Sequence, residues 1–361
     1  MRRVDSIAGS GCAKHPDMPR FAAPRLDAPL PDAKPDNWVD RLAPTRLRPW
    51  LKLGRLDRPA GAWLLLLPGW QGIALAAALR HERPDVLLMI KVAIGALVMR
   101  AAGCAYNDIV DRDIDAKVAR TAMRPIPSGQ IGVGRAWAFV VLCSLIGLWI
   151  LIGMNLWAVG LGAASLLLVA AYPFMKRITW WPQAWLGLTF NWGALLGFAA
   201  ATGGAATVTV LVGEYAVLTG KYLTFFAVPG SPPGLPAILL YASGVFWTLG
   251  YDTIYAVQDL EDDALAGVKS SARRLGAAAP RGVLIFYLIC SVLALAVGLT
   301  AKIGLLFYPV LIAFVLHLIW QAWRMKLTDP EGALKLFRAN RDAGLILAAA
   351  LALGAVQVGS F

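Results

Sequence analysis

"VLLMIKVAIGALVMRAAGCAYNDIVDRDIDAKVARTAMRP", residues 86–125, runs from an apolar block into a cluster of alternating charge. Residues 86–106 have the length that crosses a bilayer as a helix, roughly twenty residues. Asp108, Asp111, Asp113 and Asp115 follow, with Arg112, Lys117, Arg120 and Arg124 among and behind them. The apolar part decides the fold class, and the charged part points to chemistry.

The block is one of a series. Of 361 residues, 58% are hydrophobic and 16% charged, with a mean hydropathy of +0.61. A soluble domain averages nearer half apolar and a quarter charged. Nine apolar blocks are read at approximately 60–79, 86–106, 134–153, 155–174, 182–202, 235–255, 282–300, 303–322 and 342–360. The expected fold is an all-α polytopic membrane protein with nine transmembrane helices, since lipid demands that every backbone polar group be satisfied internally.

The formal charge of +12 does not point to nucleic acid, because the basic residues collect in alternate short connections. They precede the first block and follow the second, fourth, sixth and eighth, which predicts a cytoplasmic N-terminus and an external C-terminus. Residues 1–40, rich in Pro, Ala and Asp, read as a flexible tail. Their Asp residues are as many as their Lys and Arg, unlike a transit peptide, and they lack the apolar centre of a signal peptide. The expected location is therefore a bacterial inner (cytoplasmic) membrane rather than a mitochondrial one. Residues 203–234, where Glu214 and Lys221 interrupt an apolar run, read as an outer-face insertion. Cys12, Cys104, Cys143 and Cys290 show no metal spacing, and His15, His81 and His317 lie away from the acids, so a histidine base is not expected.

A second acidic motif, "YDTIYAVQDLEDDALAGVKSSARR", occupies 251–274. Spacings of four put Asn107, Asp111 and Asp115 on one helical face, and Asp259 with Asp263 on another. Asp108 and Asp113 fall off the first face. Both motifs follow an apolar block, precede a basic stretch and share the cytoplasmic side, so the chain reads as two related halves. Carboxylates four apart repel unless a cation lies between them. Hard divalent ions such as Mg²⁺ take carboxylates together with substrate phosphates. Lys117, Arg120, Arg124, Lys269 and Arg273 are placed to hold the rest of a polyphosphate. Arg55, at the mouth of the first block, suits an anionic co-substrate. Lys176 and Arg177 end the fourth, where snorkelling anchors would look the same as functional bases.

"NDIVDRDID" and "YDTIYAVQDLEDD" resemble the NDxxDxxxD and DxxYxxxDxxxD motifs of the UbiA superfamily of intramembrane aromatic prenyltransferases. "RTAMRPIPSGQI", "AYPFMKRITWWPQ" and "GVKSSA" resemble its 4-hydroxybenzoate polyprenyltransferase branch, of ubiquinone biosynthesis. The resemblance implies a helix bundle around a central cavity. It implies Mg²⁺-dependent transfer of a polyprenyl group from polyprenyl diphosphate to carbon 3 of 4-hydroxybenzoate, with no obligate protein partner. Asn107, Asp111, Asp115, Asp259 and Asp263 would then hold Mg²⁺. Lys117, Arg120, Arg124 and Lys269 would neutralise the diphosphate, Asp252 or Tyr255 would orient the phenol or shield a cation, and Arg55 would hold the carboxylate. The alternatives are a sister enzyme with another aromatic acceptor, a CDP-alcohol phosphotransferase, whose DGxxAR signature is absent, and a transporter, disfavoured by the edge position of both acidic clusters.

Overall fold

A computed structural model describes residues 37–116, 121–203, 232–260 and 269–356, and two short strands at 209–210 and 223–224. Two short helices, α1 (Trp38–Leu42) and α2 (Arg48–Leu53), lead into the long α3 (Ala60–Leu79), α4 (Val86–Asp115), α5 (Val133–Ile152), α6 (Leu156–Ile178) and α7 (Pro182–Thr202). Strands β1 (Thr209–Val210) and β2 (Leu223–Thr224) pair antiparallel within the expected insertion. After them come α8 (Leu235–Tyr255), α9 (Ser271–Leu275), α10 (Ala279–Thr300), α11 (Phe307–Arg324) and α12 (Pro330–Leu353). The tail 1–36 and most of 203–234 lie outside the described residues.

Local signals set the helix starts. Asp85, Asn155 and Asp329 each accept a hydrogen bond from a first-turn amide of α4, α6 and α12, and prolines open α7, α8, α10 and α12. Seven described helical segments are long and apolar enough to cross a membrane; α8 and α12, of 21 and 24 residues, are long enough but less apolar. α12 begins twelve residues before the block read from sequence (330 against 342). The Asp329 cap starts it there, and Ala333, Leu336 and Asn340 turn inward while the bases counted as a loop ride on its other side.

The helices divide by burial. In α3 72% of the spanning window is buried, against 11% in α5, so α3 is central and α5 faces lipid. α3, α7, α8, α10, α11 and α12 share the main core, and α4 packs with α5 in smaller clusters. The outer surface carries Trp149, Leu167 and Trp323, each more than 70% exposed. In lipid, helices gain no hydrophobic drive toward one another, and close backbone approach supplies the attraction. The α3–α7 crossing shows this: a Cβ on Gly197 would lie 2.2 Å from the Gly69 carbonyl oxygen, and one on Gly72 2.1 Å from that of Ala194. Gly197→Val should therefore separate α3 from α7, and we expect loss of folded protein on size-exclusion chromatography in detergent.

A buried polar knot ties four helices. Trp247 of α8 donates to Asn340 Oδ1 of α12 (2.8 Å), whose amide donates to Gln321 of α11 (2.7 Å), which also accepts from the Tyr287 hydroxyl of α10 (3.0 Å). Hydrogen-bonded polar groups in a low-dielectric interior favour one helix register, although the Gln321 Nε2 here is buried without a hydrogen-bond partner among the described residues. From this knot an aromatic run, Trp247–Tyr251–Phe337–Tyr255, leads along α8 and α12 toward the acidic end.

Candidate active site

The acids gather at one end of the bundle, where α4, α6 and α8 end. α4 remains helical through Asp115, nine residues beyond the apolar block read from sequence. α8 does not repeat this. It passes at Ala256 into a 3-10 turn that ends at Asp259, and Asp263, with which Asp259 is expected to share a face, lies outside the described residues.

Asp111 has a fully buried side chain and is gripped from α6, by Lys176 Nζ at 2.5 Å and an Arg177 Nη at 3.0 Å. The two bases are not lipid anchors but partners of the motif. Arg124 bridges Asp115 (2.8 Å) and Asp108 (3.4 Å) from a loop held by Thr121, whose hydroxyl donates to the Asp115 carbonyl, and by Ile126 and Ile131 in the α4–α5 core.

Asp108 lies off the metal face, yet it is fully buried, and its Oδ1 accepts from Arg55 at 2.6 Å and from Arg124. Arg55 adopts the left-handed conformation (φ 59°), which costs on the order of 1 kcal/mol or more for a non-glycine residue. That backbone turns its side chain inward. Arg55 is thus paired with the buried Asp108. Asp113 is exposed, as its position off the face implies.

Tyr172 of α6 lies within electrostatic reach of Asp111 from the first motif and of Asp252 and Tyr255 from the second, and Asp252 within that of Asp259. Phe337 stacks on Tyr255 at 4.6 Å between ring centroids. Lys269 stands at the rim, its ammonium donating to the Ile178 carbonyl at 3.1 Å and its amide to that of Lys176. Asn107 is half-buried on the Asp111 side of α4. Lys117 and Arg120 lie outside the described residues.

One residue had no role in the sequence reading. Arg100, seven residues before Asn107, lies on the same helical face and about 10 Å deeper, at 1.5 Å of rise per residue. Its guanidinium packs over Gly61 at the start of α3, where an added Cβ would meet both terminal nitrogens at 2.4 Å. It also interacts electrostatically with Tyr251. A charge facing the interior of a spanning helix is itself the signal that could have found it.

Among the described residues no three Asp, Glu, His or Cys side chains form a ready-made metal cage. The available donors are the carboxylates of Asp111, Asp115 and Asp259 and the amide of Asn107. This all-oxygen set fits a hard divalent ion.

Residues 65–345 match the UbiA prenyltransferase family. The chain belongs to that family. It is 41% identical over 312 residues to the mitochondrial 4-hydroxybenzoate polyprenyltransferase of Bos taurus, covering 86% of this chain and 76% of that one. The Arabidopsis thaliana mitochondrial enzyme of the same name is 40% identical, covering 89% and 72%. A 4-hydroxybenzoate geranyltransferase of Lithospermum erythrorhizon is 37% identical, covering 90% and 96%. Among solved structures, a UbiA homologue from Aeropyrum pernix superposes with a TM-score of 0.62 at 26% identity, covering 81% of this chain and 97% of that one. One from Archaeoglobus fulgidus, bound to DMAPP and Mg²⁺, gives 0.57 at 19%, covering 84% and 97%, a likeness of fold. The mitochondrial relatives correct the expected bacterial inner membrane. That expectation leant on residues 1–40, of which 1–36 lie outside the described residues.

Proposed function

We infer that this enzyme transfers a polyprenyl group from polyprenyl diphosphate to carbon 3 of 4-hydroxybenzoate, in a mitochondrial membrane, as a step of ubiquinone synthesis. The single observation that carries the reading from family to site is the closeness of Asp111 and Asp252, one from each acidic motif, to Tyr172, with Arg124, Lys176 and Arg177 at the same end of the helix bundle. A charged diphosphate head fits this end, and an isoprenoid tail fits the lipid beside it.

Asn107, Asp111, Asp115, Asp259 and Asp263 would hold Mg²⁺. When bound, Mg²⁺ supplies positive charge against the departing diphosphate. Arg124, Lys176 and Arg177, with Lys117, Arg120 and Lys269, present N–H donors to the diphosphate oxygens as negative charge grows there. The C–O bond to the allylic carbon breaks and the electron-rich ring, ortho to the hydroxyl, forms the new C–C bond. Tyr172, Tyr255 and Phe337 present ring faces beside that cation-like carbon and keep water from it. Asp252, facing the same space, is placed to orient the phenol and to accept the proton that carbon 3 loses as the ring regains aromaticity.

Arg100 replaces Arg55 as the group for the acceptor's carboxylate. Its two-turn offset of about 10 Å from Asn107 leaves room for one benzene ring between guanidinium and diphosphate. Arg100→Ala should raise KM for 4-hydroxybenzoate by about 10- to 100-fold, the worth of one charge-assisted hydrogen-bonded pair. KM for the prenyl donor should stay within its wild-type range. A loss confined to the donor would remove this assignment.

A further inference from the structure

Both carboxylates that α4 offers to a metal are already matched by cations from elsewhere in the chain. Lys176 and Arg177 hold Asp111, and Arg124 holds Asp115. Asp108 beside them is likewise held by Arg55 and Arg124, and Lys269 adds a further cation at the rim. A divalent ion arriving alone must push the cations off and then share a poorly solvated site with them. That crowding of positive charge is unfavourable. An ion arriving with a diphosphate brings oxygens to which the displaced donors can turn.

We propose that Lys176 and Arg177 are exchangeable counter-ions, neutralising Asp111 in the metal-free protein and moving from carboxylate to phosphate oxygen when a metal–diphosphate complex enters. The site therefore takes up metal and diphosphate together and holds metal alone weakly. The inference rests on the metal–diphosphate reading given above. Exposure separates the movable bases from the fixed one. The Lys176 and Arg177 side chains are 26% and 45% exposed, so they can swing through water, whereas that of Arg55 is 8% exposed and stays on Asp108. Arg177 also has a second surface at hand, the Phe174 ring at 5.9 Å.

The exchange makes a signed claim that a plain binding role does not. Removing a counter-ion should strengthen binding of metal alone while weakening binding of diphosphate. The test uses the full chain in detergent micelles, with Mn²⁺ as the probe followed by electron paramagnetic resonance and with inorganic diphosphate added or withheld. Lys176→Gln combined with Arg177→Gln should bind Mn²⁺ alone at least about tenfold more tightly than wild type, because two nearby like charges are gone. At saturating Mn²⁺, diphosphate should bind this variant about tenfold more weakly, for loss of two charge-assisted donors. Lys176→Arg, which keeps the charge, should retain the wild-type order of affinities and serves if the double variant does not fold. Unchanged or weaker binding of Mn²⁺ alone by the double variant, or a Lys176→Arg protein that behaves like it, would overturn the exchange. Failure of Mn²⁺ to bind wild type under any condition would overturn the metal–diphosphate reading as well.

Discussion

Asp111→Asn is expected to lower prenyl transfer by at least about a thousandfold, the scale on which a single group stabilising charge in a transition state is felt. The substitution preserves shape and removes one charge from the residue on which the first motif converges. Asp111 is the only acid of the described α4 motif gripped by two bases from another helix. As the asparagine it keeps one oxygen, but loses both its hold on a divalent ion and its ability to set Lys176 and Arg177 in place. Folding should survive, since those two bases are partly exposed and regain water. The check is product formed by membranes carrying the variant at matched protein level, with the thermal melt in detergent as control. Near-normal turnover with an intact fold would sink the site. Asp259→Asn should behave alike, from the second motif.

Arg55→Ala is expected to act on stability instead. Its partner Asp108 is fully buried, with Arg124 left as a longer contact at 3.4 Å and Oδ2 without a hydrogen-bond partner among the described residues. Breaking a buried pair from one side costs about 3–5 kcal/mol, because the remaining charge is stranded. Arg55→Ala with Asp108→Asn removes that charge as well and should recover much of the loss. The thermal melt of the solubilised protein decides it. A double variant no more stable than Arg55→Ala alone would show that the pair is not what holds this end of the bundle.

Hydropathy was sufficient for the spans because lipid leaves a helix few alternatives. The blocks at 60–79 and 235–255 coincide with α3 and α8 to the residue. Charged ends were harder to read. α4 continues through the acids, where polar residues on a helix look like a loop, and α12 begins among bases that a hydropathy window discards. Spacing of four singled out Asp111 and Asp115, but it could not show how Asp108 is paired. The reason is physical: its partner Arg55 lies 53 residues away, and Lys176 lies 65 from Asp111. Local periodicity carries no trace of such pairings. Only tertiary contact shows Lys176 and Arg177 paired with Asp111, and Arg55 with Asp108.

The central claim is that this end of the bundle joins a prenyl diphosphate to 4-hydroxybenzoate under Mg²⁺. Its most direct test is mass spectrometry of products made by membranes carrying the protein, supplied with polyprenyl diphosphate and a mixture of 4-hydroxybenzoate, homogentisate and dihydroxynaphthoate, with Mg²⁺ present or chelated. The expected result is 3-polyprenyl-4-hydroxybenzoate as the dominant product, lost on chelation and lost with Asp111→Asn. Prenylation of another acceptor in its place, or equal product after chelation, would contradict the account.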